Sequence, residues 1–275
     1  MPFKNIVPSK GKRLVAPFLT LWRRRCSESL ENISASELSS EIAKCCRRML
    51  RREAVSEPPH RLSLYKETLV GLLEDDFCSF LSIKDRINGR INLGSKYGVC
   101  LRHDIDCGSA KRTEALCAVE SALNLRSSVH FLVDDVIYDL NGVRETAKRL
   151  HGAGFDVGLH SQCWLQENYE LAFEKELERF SEVFGFRAET YSQHGAWPRD
   201  AGSEERRAEM RSRERELAKR HSLVGCDYKY DIVIEDSARL GKPVPINEDF
   251  RSPERYICRG DVALLLTHDC YWTED

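Results

Sequence analysis

The residues best suited to chemistry follow an apolar run near the middle of the chain. Residues 97–101 (Tyr-Gly-Val-Cys-Leu) are short, mostly apolar and typical of a buried strand. His103, Asp104 and Asp106 come directly after them. Two neighbouring carboxylates raise one another's pKa unless a cation lies between them, and aspartate is rarely buried without a partner. Because residues two apart on an extended chain point to the same side, Asp104 and Asp106 are expected to share one face and one metal ion.

Three further histidines stand at the ends of other apolar runs. His160, His194 and His268 each follow a short strand-like segment. A single histidine in such a place is more often structural than functional. However, the carboxyl ends of parallel strands converge on one face of an α/β fold, so four histidines and two carboxylates at such ends favour a metal site. Imidazole and carboxylate ligands around an open position suit one catalytic divalent ion, and zinc is the expected metal.

The elements that must position these residues alternate along the chain. Strands are predicted at residues 77–83, 97–101, 128–133, 155–159, 190–193 and 262–267, and residues 84–96 are predicted to form a loop. Helices are predicted at residues 62–73, 110–125, 142–151, 169–184 and 204–221. Apolar strands that alternate with amphipathic helices indicate a parallel sheet or barrel of the α/β class.

The chain is predicted to have two parts. Residues 1–61 read as a basic, largely helical extension, with a helix at 36–52, and residues 62–275 as one domain. Residues 1–60 carry 12 Lys and Arg against 6 Asp and Glu, although the whole chain has a net charge of −2. A solvated tail is the default interpretation, with weak contact to a membrane surface as the alternative. We expect no nucleic-acid partner.

The cysteines and the hydropathy pattern bear on the compartment. The 11 cysteines form no Cys-x-x-Cys pair and no regular framework, which favours reduced thiols and a cytoplasmic location. No apolar run approaches the roughly 20 residues that a membrane-spanning helix requires.

Four motifs, in this order, carry a resemblance to a known family. They are Leu-Arg-His-Asp-Ile-Asp, Asp-Val-Gly-Leu-His, His-Gly-x-x-Pro and Leu-Leu-x-His, and they lie within residues 62–272. Together they resemble the polysaccharide deacetylase superfamily, carbohydrate esterase family 4, and its bacterial branch with an Arg-His-Asp-x-Asp first motif in particular. The resemblance implies an incomplete or distorted (β/α) barrel. It also implies a hydrolase that uses one divalent metal ion to remove acetyl groups from a sugar or polysaccharide precursor.

The resemblance also implies roles for individual residues. Asp104 matches the catalytic base of the family and Asp106 its metal-binding aspartate. His160 matches the first metal-binding histidine, and His268 the histidine near the leaving group. We expect the base to take a proton from water and His268 to protonate the departing group.

The sequence departs from the family pattern at three places. Ile105 separates two aspartates that are adjacent in the family, and Trp164 stands where the second metal-binding histidine is expected. His194 is the proposed substitute ligand, with substrate orientation as its alternative role. His103 replaces an apolar residue and is either a partner of the site or a core histidine.

Substrate contacts are predicted from residue type. Arg102 and the tryptophans Trp164, Trp197 and Trp272 are assigned to substrate binding. Together with Tyr228 and Tyr271, the tryptophans could form a stacking wall for sugar rings, although aromatic residues are more often part of a core.

Single features of the sequence are compatible with other functions. The main alternative is a non-catalytic barrel of the same fold that binds a carbohydrate or a protein partner. The His-Asp pairs are also compatible with a metal phosphohydrolase of the HD type, but they follow strands instead of lying on helices. A zinc site from His160, Cys163, His268 and Cys270 lacks regular spacing. Cys107 as a nucleophile and a phosphate-binding glycine loop find no support in the sequence.

Overall fold

The computed structural model describes residues 60–89, 91–133, 139–163, 168–194, 212–213, 216–227, 230–236 and 250–273. The helices that pack on the sheet are α1 (Leu62–Glu74), α2 (Ile83–Ile87), α3 (Ala110–Ala122), α4 (Leu140–Gly152) and α5 (Tyr169–Phe184). Residues 212–213, 216–220 and 250–251 are also helical. The strands are β1 (His60–Arg61), β2 (Cys78–Leu81), β3 (Tyr97–Ile105), β4 (Ser128–Phe131), β5 (Asp156–Ser161), β6 (Thr190–Gln193), β7 (Val224–Gly225), β8 (Ile232–Glu235), β9 (Val262–His268) and β10 (Trp272–Thr273).

The main sheet is wholly parallel and forms an incomplete (β/α) barrel, which confirms the predicted fold class. Its strand order is β7-β6-β5-β4-β3-β9-β8. β2 pairs with residues 97–100 of β3, and β4 pairs with residues 102–105 of the same strand. Within the described ranges β7 and β8 are not paired with each other, so the sheet stays open. All strands therefore present their carboxyl ends at one edge.

β3 separates two layers of the core by the alternation of its side chains. Val99 and Leu101 pack in the cluster that α1 and α3 cover. Cys100 packs on the opposite face with Leu264 of β9. Since side chains alternate along a strand, Asp104 lies on the same face as Cys100. This alternation directs the acidic residues of β3 away from the helices.

His103 lies on the helix-covered face and is completely buried. Its Nε2 is 2.8 Å from Oε1 of Glu120 on α3, and Nδ1 contacts the hydroxyl of Thr267. The hydroxyl of Tyr65 on α1 donates to the same Glu120 oxygen at 2.5 Å. His103 is therefore a core histidine that joins β3 to two helices.

Polar side chains cap the start of three helices. Ser109, Asp139 and Asn168 precede α3, α4 and α5, and each side chain accepts a hydrogen bond from a backbone N–H of the first turn. Gly185 ends α5 with a φ of 79°, a conformation that glycine adopts without strain. None of the helices within the described ranges is long and apolar enough to cross a membrane.

Three local predictions differ from the structure. Residues 84–87, predicted as loop, belong to the short helix α2, whose first turn is capped by Ser82. β3 continues to Ile105 because its polar residues have buried partners. β8 was not predicted, since its apolar run of three residues is too short to stand out. The predicted helix at 36–52 lies outside the described residues.

Candidate active site

Three predicted metal ligands lie together at the carboxyl edge of the sheet. Asp106 directly follows β3, His160 is in β5, and His194 directly follows β6. Oδ1 of Asp106 is 3.2 Å from Nε2 of His160 and 3.2 Å from Nδ1 of His194. The two ring nitrogens are 3.1 Å apart. The three donor atoms therefore form a nearly equilateral triangle.

This triangle has the dimensions of a metal-binding face. Nitrogen and oxygen ligands lie about 2.0–2.2 Å from zinc, and two ligands of one ion are consequently about 3–3.5 Å apart. Two histidines and a carboxylate are also a donor set that suits a catalytic divalent ion. The residues present therefore fit the ion that the resemblance implies.

The electrostatics of the triangle favour a charged carboxylate. Burial raises the pKa of Asp106, but hydrogen bonds from His160 and His194 outweigh it and hold the pKa well below its usual range. Burial lowers the pKa of His194, and the hydrogen bond and charge of Asp106 raise it above its ordinary value overall. A metal ion and a proton thus compete for His194.

His268 is paired with an aspartate that the sequence analysis did not identify. Oδ1 of Asp236 is 2.6 Å from Nδ1 of His268. Oδ2 of Asp236 accepts hydrogen bonds from the backbone N–H of His268 and from Nε1–H of Trp272. Burial lowers the pKa of His268, but the charge of Asp236 and its hydrogen bond outweigh this and raise the pKa to about 10. His268 therefore carries a proton at neutral pH.

Asp104, the predicted base, is buried and fully engaged. Its Oδ2 is 2.9 Å from a guanidinium nitrogen of Arg102, and its Oδ1 accepts a hydrogen bond from the hydroxyl of Ser192 at 3.0 Å. Nδ1 of His130 lies 3.5 Å from the same Oδ1. Burial raises the pKa of Asp104, but Arg102, together with the two nearby histidines His160 and His130, keeps it well below the usual range. Asp104 is therefore a carboxylate with partners on both oxygens.

Of the four residues predicted to contact substrate, the structure describes Arg102 and Trp272. Arg102 is 4% exposed and donates to the carbonyl of Cys226 and to Asp227 as well as to Asp104. Trp272 is 1% exposed and belongs to the core beneath α1. Neither side chain faces an open surface. Their contact with substrate stays a prediction, and the buried positions of the two side chains do not support it. Trp164 and Trp197 lie outside the described residues.

A second group of possible ligands lies beside the triangle. Cys107, Asp269 and Cys270 have donor atoms within 4.8 Å of one another. However, both oxygens of Asp269 already accept hydrogen bonds from the backbone N–H groups of Asp106, Cys107 and Ser109. Asp269 thus fixes the loop that follows β3. The alternative zinc site of His160, Cys163, His268 and Cys270 is not assembled among the described residues. The candidate ligand groups found there are the triangle and the group of Cys107, Asp269 and Cys270.

Sequence reasoning missed three residues of the site. Asp236 follows the unpredicted strand β8, and recognising Ile-Val-Ile as a strand would have placed this aspartate at the same edge as His268. Ser192 stands two residues before His194 in a predicted strand, where the period of two would have directed both to the same face. His130 lies in the middle of β4 and carries no comparable signal.

Comparison with known proteins finds similar solved structures. The sequence matches no protein-family model, and no curated protein matches it. The catalytic domain of a peptidoglycan N-acetylglucosamine deacetylase from Eubacterium rectale is similar at a TM-score of 0.46 and 17% identity, over 65% of this chain and 79% of that chain. IcaB from Ammonifex degensii has a TM-score of 0.41 and 16% identity, over 58% and 72%. The peptidoglycan deacetylase PdaC from Bacillus subtilis has a TM-score of 0.39 and 15% identity, over 66% and 78%.

Proposed function

We propose that the protein is a metal-dependent hydrolase that removes an acetyl or other acyl group from a sugar or polysaccharide precursor. The observation that carries this proposal is the triangle of Asp106, His160 and His194, with His268 paired to Asp236 at the same edge of the sheet. The substrate class is taken from the resemblance of the motifs.

The ligands would hold one divalent ion, with zinc as the expected metal. When bound, such an ion polarises the acyl carbonyl and lowers the pKa of a coordinated water. Asp106 brings the negative charge that offsets the ion, and the two imidazoles bring neutral nitrogen ligands.

His268 would protonate the departing amine or alkoxide. Asp236 engages Nδ1, so the transferable proton is the one on Nε2. A buried aspartate on the other ring nitrogen keeps the imidazolium oriented and charged, as general acid catalysis requires. The role of Asp104 as general base stays a prediction, because Arg102 and Ser192 already engage its two oxygens.

The thiols bear on the compartment. Cysteines 78, 100, 107, 117, 163, 226, 258 and 270 are all free among the described residues. This supports a reducing, cytoplasmic setting for the proposed enzyme.

The proposal is tested with the full-length chain and N-acetylglucosamine oligomers. The protein is stripped with a chelator and reloaded with Zn²⁺, and acetate release is measured before and after. We expect acetate release to require the ion. We also expect His268→Ala to reduce it strongly. A metal-loaded protein that binds the oligomers but releases no acetate would instead establish the non-catalytic binding module.

A further inference from the structure

Two cysteines lie side by side on the loops that follow β3 and β9. Cys107 directly follows Asp106, and Cys270 is two residues after His268. The sulfur atoms of Cys107 and Cys270 are within 4.8 Å of each other. Both thiols are free, and neither residue is fully buried. Small solutes can therefore approach the pair.

The two loops are joined to each other through Asp269, which directly precedes Cys270. One carboxylate oxygen of Asp269 accepts hydrogen bonds from the backbone N–H groups of Asp106 and Cys107, at 3.0 and 2.9 Å. The other oxygen accepts from the backbone N–H of Ser109 at 2.7 Å. The strands before these loops, β3 and β9, are also paired along their length. The backbone therefore holds the two cysteines next to each other.

The pair is poorly suited to bind a metal ion. A structural zinc site uses four ligands, and its cysteines bind as thiolates. Within the described residues this group has Asp269 as its third member and no fourth, and backbone N–H groups already engage both oxygens of Asp269. A hydrogen bond with Cys107 and burial also raise the pKa of the Cys270 thiol. The two sulfur atoms are thus better placed to bond with each other than to share an ion.

We propose that Cys107 and Cys270 are a redox-active modification site, at which glutathione disulfide converts the two thiols to one disulfide bond. The sulfur atoms of a disulfide are about 2.05 Å apart, so the side chains turn toward each other while Asp269 keeps the two loops together. Disulfides of this kind in a reducing compartment are transient and respond to the redox state. The bond links the loop that begins at Asp106 to the loop that follows His268. Neither metal nor substrate is needed for it to form.

The reaction balances between the two thiols and glutathione disulfide. One cysteine attacks a sulfur of glutathione disulfide as its thiolate, the S–S bond breaks, and a glutathione thiolate leaves with the electron pair. The second cysteine then attacks the protein sulfur of this mixed disulfide and displaces the second glutathione. The two protons that the cysteines lose go to the two glutathione thiolates. Two protein sulfurs are oxidised and two glutathione sulfurs are reduced, so no further oxidant is required.

The test maps the bond in the full-length protein. The protein is equilibrated in glutathione buffers with an increasing share of glutathione disulfide, the remaining thiols are alkylated, and the chain is digested with trypsin without reductant. Cleavage after Arg102, Lys111 and Arg259 gives peptides 103–111 and 260–275, each with one cysteine. Mass spectrometry should find these two peptides joined, and dithiothreitol should separate them. Absence of the joined peptide at every buffer composition would overturn the inference.

Single variants show whether the bond belongs to this pair. Cys107→Ser and Cys270→Ser should each abolish the joined peptide, and the remaining thiol should stop at a mixed disulfide with glutathione. Cys258→Ser is the control, because it removes an exposed thiol outside the pair, and it should leave the yield of the joined peptide unchanged. A disulfide from Cys107 or Cys270 to a different cysteine of the folded protein would contradict the proposal.

A final control separates the folded arrangement from random pairing. The same oxidation is carried out in urea, where the 11 cysteines of the chain compete as partners. The joined peptide should then fall to the yield of other cysteine pairs. An equal yield in the folded and the unfolded protein would show that the fold does not bring the two thiols together, and it would overturn the inference.

Discussion

Asp104 and Asp106 approach opposite ring nitrogens of the same histidine. Oδ1 of Asp106 is 3.2 Å from Nε2 of His160, and Oδ1 of Asp104 is 3.9 Å from Nδ1. The negative charge of Asp104 is offset by Arg102, and the carboxylate of Asp106 faces two imidazoles. The two acids of the first motif therefore stand near the two ring nitrogens of one histidine.

Removal of a ligand should remove the metal. We expect Asp106→Ala and His160→Ala each to abolish stoichiometric binding, since water alone does not replace a protein ligand. The measurement is elemental analysis of protein purified with zinc. Asp231→Ala, at the opposite end of β8, is the control and should keep about one ion per chain. Stoichiometric metal in both ligand variants would refute the assignment.

Replacement of His268 should affect chemistry more than binding. His268→Ala should retain metal, because His268 does not belong to the triangle. Amide substrates should lose more turnover than activated aryl esters, because a departing amine needs a proton and a phenolate does not. Turnover of both substrates is measured at saturating metal. An equal loss on the two would argue against a role as proton donor.

Asp236 should set the alkaline limit of the reaction. The wild-type rate should fall as pH rises through about 10, since the pKa of His268 is raised to that value and its protonated form is the active one. Asp236→Asn removes the charge that raises this pKa, so the decline should move to lower pH by about 1–3 pH units. Asp231→Asn is the control for the pH profile of kcat. An unmoved alkaline limb in Asp236→Asn would show that His268 is not the titrating acid.

The order of strands and helices could be predicted because each element carries its own periodicity. α5 and β6 have the predicted bounds, and the four titratable strand ends were placed at one edge by the parallel-strand rule alone. The rule places Asp106, His160 and His194 at the same edge, although they are far apart in sequence. It does not by itself select these three among the strand-end residues, and the resemblance to a known family supplied the roles of Asp106 and His160.

The hydrogen-bond and ion-pair partners of these residues could not be predicted in the same way. Whether Asp104 faces an open site or Arg102 depends on side-chain packing across several strands, and strand periodicity gives only the face. Asp236 was missed because β8 has three apolar residues, too few to predict a strand. His103 was left open because its partner Glu120 lies on a helix, and a single chain shows no pairing between elements.

The last prediction concerns Gly158, which allows β5 to pass closely between its neighbours. A Cβ built at this position would meet side-chain atoms of His130 and Thr190 and would lie 2.6 Å from the backbone oxygen of Thr190. Because a backbone oxygen in a paired strand cannot move cheaply, Gly158→Ala should destabilise the protein by about 1–3 kcal/mol. Gly152, at the end of α4, has no atom within 4 Å of the same construction, so Gly152→Ala should be neutral or stabilise by up to about 1 kcal/mol. Urea unfolding of both variants, compared at equal m-values, measures the difference. Equal stabilities of the two variants would show that β5 and β6 are not as close as described. The positions of His160 in β5 and Ser192 in β6 would then also be in error.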